Sequence, residues 1–460
     1  LWNFWWLKYS YLEGLPSNIN STIVAPFGVN YFRFSIFPLW EFLNKWSSIL
    51  MGNIITYNLE VISSFILARL FMYKLVHFLT DNSLSAVLSG IIYAYCPYHF
   101  VRTWQHLGLA QIQWMPLYIL SLFLLVREAS LKRAFYAAIC FYLVVSFELH
   151  YSFFMFIVSA IFILFYFSYK RFERKCFFTN IKPLIAMVAF ILIFTLPNIF
   201  AMVNNAISVT QADNSGGYGL VRAFEDLFTQ SARPLSYFLP AATHPVFGQF
   251  TEQFIGSNLY GLSLTEHTLY LGWVPLILSF IAFRSWRRRN GHLIVPGKKD
   301  QTFNESFFIY FFLVLAAASW LFSQPPWWNI LGFKLYMPSF FMYKIAPIFR
   351  AYCRFGIVVM LAVAVLAGFG LKFILDKLKK RYVKILVTCL FSGLVLFEFW
   401  NWPPYRVIDV SATPAVYSWL KGEAQDITIA EYPLDADGIN EMYKFYQAKH
   451  EKKIINGTTP

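Results

Sequence analysis

Arg350 and Arg354 stand four residues apart at the entrance to an apolar segment, in FMYKIAPIFRAYCRFGIVVM. On a helix this spacing places both guanidiniums on one face. Two planar forks of N–H donors suit a phosphate, and like charges so close repel unless something negative is shared. Pairing with a carboxylate, or snorkelling to lipid headgroups, is the plainer alternative, and the one preferred for Lys344 beside them. Arg102, in HFVRTWQH, is a third cation for the same anion site, with His106 as a polar contact; both also read as solvated loop residues. Glu148 and His150, in SFELHYS, set a carboxylate beside an imidazole, which suits acid/base work or simply marks a polar turn. Glu266, in EHTLYLGW, could orient an arginine or a sugar hydroxyl, or serve as a favourable charge near a helix N-terminus. His244 lies among aromatic and proline neighbours in TQSARPLSYFLPAATHPVFGQ, a segment fit to cover a carbohydrate or a lipid, or to pack at an interface. There is no HExxH or other ligand spacing, no P-loop and no glycine-rich dinucleotide motif, so no cofactor is indicated and a divalent metal is unsupported.

The elements that must position these groups are membrane helices. Of 460 residues 58% are hydrophobic and 20% aromatic, and only 13% are charged. Apolar segments fall near 47–78, 83–97, 108–127, 133–147, 150–169, 182–203, 267–284, 305–323, 351–375 and 384–401. Runs of this length read as spans. The net charge of +14 gathers in short basic connections such as REASLKR, KRFERK and DKLKKRYVK, the pattern of membrane topology and not of nucleic-acid binding. Those connections belong in the cytoplasm, which leaves Arg350 and Arg354 outside, against the charge rule. Residues 132–171 would make a single helix about 60 Å long, twice the hydrocarbon thickness, so they must turn back at Glu148-Leu149-His150.

The expected architecture is an all-α polytopic membrane protein of about ten spans with the start of a small α/β extracytoplasmic C-terminal domain. Residues 1–46 form a first outer loop with interfacial amphipathic helices. Residues 47–401 form the transmembrane bundle, including a large outer loop at 204–266. Residues 402–460 begin the soluble domain, where DITIAEYPL alternates like a strand and INEMYKFYQAKH has helical spacing. A start at Leu1 and a stop at Pro460 inside a polar stretch read as a fragment truncated at both ends.

The stretches LWNFWWLKYS, IYAYCPYHFVRTWQHLGLAQIQWMPLYIL, EHTLYLGWVPLILS, FRAYCRFGIVVMLAVAVLAGFGL and YPL…YKFYQAKHEKKIINGT cover most of the chain in pieces. In them the chain resembles YfhO-like and related multi-pass proteins of the GT-C glycosyltransferase superfamily, relatives of the protein mannosyltransferases. The resemblance implies a GT-C-like bundle in a bacterial or archaeal cytoplasmic membrane, with its active site on the outer face. It implies hexosyl or pentosyl transfer from a polyprenyl-phosphate sugar to a glycan or lipid acceptor of the cell envelope. The donor phosphate would meet Arg350, Arg354 and Arg102, with His106, His150 and His244 elsewhere in the pocket. Such proteins carry their base in the first outer loop, before the WNFWW-like stretch, so the base is expected N-terminal to Leu1; Glu13, Glu148 and Glu266 are weak candidates. A lipid or glycan transporter or flippase, which would carry charge at mid-membrane, and a non-catalytic envelope-assembly protein are the rival readings.

Overall fold

The computed structural model describes residues 1–30, 37–170, 174–212, 222–290, 304–402, 413–433 and 438–457. The chain is mostly helical and divides into two compact units. One gathers Leu1–Ile62, Thr195–Gly217 and Tyr405–Pro460; the other holds Ser63–Phe194 and Tyr218–Pro404.

The larger unit is built around one helix, Gly356–Leu375, whose sequence GIVVMLAVAVLAGFGLKFIL is apolar on every side until Lys372 in its last turn, which pairs with Glu305. A helix of that composition must be covered all round. Helices Trp273–Asn290, Glu305–Phe322 and Ser83–Ala94 do the covering. Small residues set the spacing, since a helix pair without a water-driven hydrophobic force gains by close backbone approach. A Cβ on Gly370 would stand 1.9 Å from the Leu278 carbonyl oxygen, and one on Gly368 would stand 2.4 Å from Ser89 Oγ. At the same seam Ser279 Oγ donates across to the Val363 carbonyl at 3.1 Å.

The break expected in 132–171 is present. Helices Leu131–Phe147 and Leu149–Tyr169 meet at Glu148, which is extended (φ −154°) and caps the second helix by accepting from His150 N at 3.3 Å. Ser130, Asn82 and Asn304 cap other helices in the same way.

Among the described residues four helical stretches are long and apolar enough to cross a membrane: Leu149–Tyr169, Phe178–Ala201, Glu305–Phe322 and Tyr352–Leu375. The pair Ser83–Ala94 and Pro97–Trp104, bent by 42°, passes as a fifth only if counted together. Other segments of the expected ten are helical but shorter, as in Trp114–Glu128, or carry charge, as Asn53–Thr80 does at Glu60, Arg69 and Lys74.

In the smaller unit the two ends of the sequence, which reading along the chain separated at 46 and 402, fold as one body. Trp2 on helix Trp2–Leu12 donates to Gln447 Oε1 at 2.9 Å, and Gln447 Nε2 donates to the Thr22 carbonyl at 2.8 Å. Helix Gly438–His450, which carries Gln447, has the expected spacing. Among the described residues of DITIAEYPL, Thr428–Ile429 is a strand, and it pairs in parallel with Lys453–Ile454.

Gly370→Ala forces the Leu278 backbone away and is expected to cost on the order of 1–3 kcal/mol. Gly393→Ala meets nothing within 4 Å and is the neutral control. Thermal unfolding of the two variants in detergent measures the difference; equal melting temperatures would refute the close-packed seam.

Candidate functional site

Four separate pieces of the larger unit deliver charge to one place. Pro97 at the first helical position starts helix Pro97–Gln105, which carries Arg102. A 3₁₀ turn, Tyr352–Phe355, carries Cys353 and Arg354 into the central helix. The short helix Leu264–His267 carries Glu266, and the turn at Glu148 carries His150.

The centre is the Glu266 carboxylate. Arg102 grips it with both terminal nitrogens, Nη1 to Oε1 at 3.0 Å and Nη2 to Oε2 at 2.6 Å. Arg354 grips it from the other side, Nη2 to Oε1 at 2.7 Å and Nε to Oε2 at 3.1 Å. The Cys353 thiol adds a contact to Oε2 at 3.4 Å. Two bidentate forks on one carboxylate are the strong form of this interaction. Arg102 is fully buried, and its guanidinium also lies 4.9 Å from the centre of the Tyr98 ring. Tyr98 in turn shares a hydrogen bond with Tyr151 at 3.1 Å, and Tyr151 donates to the Leu109 carbonyl.

The chain of contacts continues outward. Arg354 Nη1 lies 3.2 Å from His150 Nε2, and His150 Nδ1 lies 2.8 Å from Glu148 Oε1. A guanidinium has no acceptor, so His150 Nε2 accepts and Nδ1 carries the proton toward Glu148. The imidazole is therefore neutral here, and the two arginine charges are balanced by the two carboxylates Glu266 and Glu148.

The Glu266 loop is held from behind. Ser263 Oγ accepts from Glu266 N at 3.3 Å, and the buried His267 donates through Nε2 to the Ser231 carbonyl at 3.0 Å. Gly261, at φ +110°, makes room: a Cβ there would lie 2.1 Å from the His267 ring. Gly356 likewise lets Leu269 pack at the start of the central helix, 2.8 Å from where a Cβ would be. Burial alone would raise the Glu266 carboxyl, but the charges of Arg102 and Arg354 outweigh it and hold it well below the ordinary carboxylate range.

The structure thus brings together Arg102, Arg354, Glu266, His150 and Glu148. Arg350 does not join them. Residues 346–351 are not helical, so the shared helical face expected for Arg350 and Arg354 does not form; Arg350 pairs instead with Asp226 at 2.7 Å, at the surface. The negative partner that two close arginines require is supplied to Arg102 and Arg354 by the protein itself. His106 caps helix Pro97–Gln105 and is exposed, although protein surrounds much of its ring. Desolvation, then the Arg102 and Arg354 charges, push it down to about 4. His244 is occupied in packing: Nε2 donates to the Phe397 carbonyl at 2.8 Å, and Nδ1 accepts from Val246 N and Phe247 N. It braces the wall of an open cavity of about 490 Å³ lined by Phe238, Phe247, Phe250, Trp273, Phe397 and Glu398. Glu13 is exposed at the end of helix Trp2–Leu12 in the smaller unit. Asp226, Cys353 and Tyr98 were not singled out from sequence. Nothing local distinguishes them, because their partners lie far away along the chain. Among the described residues no group of three or more His, Cys, Asp or Glu side chains could hold a metal ion.

A family model described as "Domain of unknown function (DUF6311)" matches residues 4–394. No curated protein matches the sequence. Two solved structures of an oligosaccharyltransferase from Archaeoglobus fulgidus have a similar fold. One, archaeal AglB in complex with an inhibitory peptide and a dolichol-phosphate, aligns with TM-score 0.51 and 12% identity, over 100% of this chain and 60% of that one. The other, a complex with Zn and sulfate, aligns with TM-score 0.52 and 12% identity, over 100% of this chain and 58% of that one. The likeness establishes a shared fold, and the present chain spans about 60% of the length of those structures.

Glu266→Gln strands the buried Arg102 and the partly buried Arg354 and is expected to cost about 3–5 kcal/mol. Because the folded Glu266 titrates below its ordinary value of 4.5, its contribution is complete above that pH and is lost as pH falls through the folded value. Unfolding followed against pH should show wild type losing stability below about pH 4.5 and the variant lacking that part of the loss. Superimposable curves would refute the pairing.

Proposed function

The chain belongs to the DUF6311 family, and from that footing we propose that it is a membrane glycosyltransferase of the GT-C class, with YfhO-like proteins among its relatives. It moves a sugar from a polyprenyl-phosphate donor to a glycan or lipid acceptor of the cell envelope, on the outer face of a bacterial or archaeal cytoplasmic membrane. One observation carries the reading: the whole chain follows the fold of an oligosaccharyltransferase that was solved with a dolichol-phosphate. The about ten spans expected from the sequence belong to this proposal.

In this reading the acceptor hydroxyl attacks the anomeric carbon. A new C–O bond forms, the bond to the lipid phosphate breaks, the proton passes to a base, and negative charge grows on the leaving phosphate. Cations aimed at that charge lower the barrier. Arg350, its side chain 44% exposed and paired with Asp226 through Nη1 alone, presents its other donors to a headgroup phosphate. Arg354 spends three of its five N–H donors on Glu266 and His150, and it offers the remainder. Arg102 is wholly buried, so its role is to position: it fixes Glu266, which aims Arg354. Glu266, committed to two arginines, is a poor base. Glu148 is bonded to His150, and the base is assigned to none of these groups.

The test is transfer of radiolabelled sugar from prenyl-linked donors in membranes containing the chain. Wild type should form product, and Arg350→Gln, which leaves the buried cluster untouched, should lower the rate by about a hundredfold. Unchanged transfer in Arg350→Gln would remove that residue from the donor site. Movement of the lipid-linked sugar across the bilayer without transfer would favour a transporter.

A further inference from the structure

We propose that the β-hairpin Trp327–Tyr336 is a wedge seated in the lipid interface, its tip at Leu331 among the acyl chains of the adjacent leaflet. Strands Trp327–Ile330 and Phe333–Tyr336 pair with Trp327 opposite Tyr336, Trp328 opposite Leu335, Asn329 opposite Lys334 and Ile330 opposite Phe333. Side chains alternate between faces along a strand. Trp328, Ile330, Phe333 and Leu335 therefore share one face, and Trp327, Asn329, Lys334 and Tyr336 share the other. The first face is wholly apolar, yet Phe333 is 79% exposed and Leu335 50%. The second is closed at its root, where Lys334 Nζ sits 4.6 Å over the Trp327 ring and Trp327 packs on Phe224 and Phe228.

The turn itself is unusual for an aqueous loop. Leu331 (φ +50°) and Gly332 (φ +87°) form a two-residue connection with both φ values positive. Asn-Gly or Asp-Gly is the preferred pair in such a turn, and a leucine there is disfavoured by its own backbone. Leu331 is also 94% exposed. Neither backbone preference nor water favours leucine at this point, whereas an apolar surrounding does.

Position in the chain fixes what that surrounding is. Trp327 follows the end of the candidate span Glu305–Phe322 by five residues, and the next candidate span begins at Tyr352. At a reach of at most about 3.6 Å per residue, the hairpin root lies within about 18 Å of the end of a membrane helix. Trp328 meets Trp320 of that helix with ring centres 5.7 Å apart, so the apolar face begins where the span's own apolar surface ends. The connection from Ser323 to Phe349 contains no Asp or Glu, and its charges are Lys334 and Lys344. A cation-only connection rich in Trp and Tyr suits anionic headgroups. The root is fastened by Met337 N donating to the Pro326 carbonyl at 2.9 Å and Ser339 Oγ donating to the Gln324 carbonyl at 2.8 Å. The hairpin is thus presented as a rigid piece.

The test replaces Leu331, Phe333, Asn329 and Lys334, one at a time, with a photoreactive benzophenone residue. Each full chain is reconstituted in vesicles of phosphatidylcholine and phosphatidylglycerol. On irradiation, positions 331 and 333 should give phospholipid adducts by mass, several-fold above those at 329 and 334. Equal yields at all four positions, or cross-links from 331 to protein instead of lipid, would overturn the proposal. As a second measurement, Leu331→Asn, which suits the turn better, should be at least as stable as wild type in detergent. A clear loss of stability there would show that protein contacts hold the leucine, and would also overturn it.

Discussion

The Glu266 carboxylate, gripped by two guanidiniums at once, is the interaction on which the larger unit's charged end depends. Each arginine alone would be costly in its place: Arg102 is fully buried, and Arg354 stands at the mouth of a largely apolar, buried helix. Separately they would repel each other. Joined through Glu266, with Glu148 supplying the second negative charge by way of His150, they become a directional knot that ties helix Pro97–Gln105, helix Leu264–His267 and the entrance of the central helix into one body. Removing one partner from such a knot is costly because it leaves an uncompensated charge, whereas replacing the whole by apolar groups is often nearly neutral. The knot therefore specifies an arrangement more than it adds net stability.

That arrangement has consequences for chemistry. Because Glu266 is held along the Nε–Nη2 edge of Arg354, the guanidinium plane is fixed and its remaining donors point in a set direction. His150, neutral and bonded through its other nitrogen to Glu148, steadies Nη1. A group destined to meet charge that develops only during a reaction gains from being oriented beforehand. The same geometry separates Arg350, which stays at the surface with Asp226. The two residues that looked alike in the sequence are one partly buried, positioned group and one accessible group.

Much of the framework was legible in the sequence because it follows from local pattern. The apolar run 351–375 becomes the central helix, and the polar interruption SFELHYS becomes the helix break with Glu148 as its cap. Among the site residues, Arg102, Glu148, His150, Glu266 and Arg354 could be named as chemistry-bearing types. Their pairing could not be read, since Arg102 and Glu266 are 164 residues apart and only the tertiary packing joins them. Helical spacing misled at Arg350 because Pro347 and the 3₁₀ turn after it break the periodicity that an i, i+4 argument needs. The joining of the two chain ends through Trp2, Gln447 and Thr22 was likewise invisible, being a matter of partners and not of propensity.

The central claim is that one carboxylate, Glu266, joins two arginines. A thermodynamic cycle tests it most directly, comparing unfolding free energies of Arg102→Met, Glu266→Leu, Arg354→Met and the triple variant. The account predicts that each single change destabilises strongly while the triple recovers most of the loss, because the three groups that depend on one another's charge leave together. Three losses that simply add in the triple variant would contradict it.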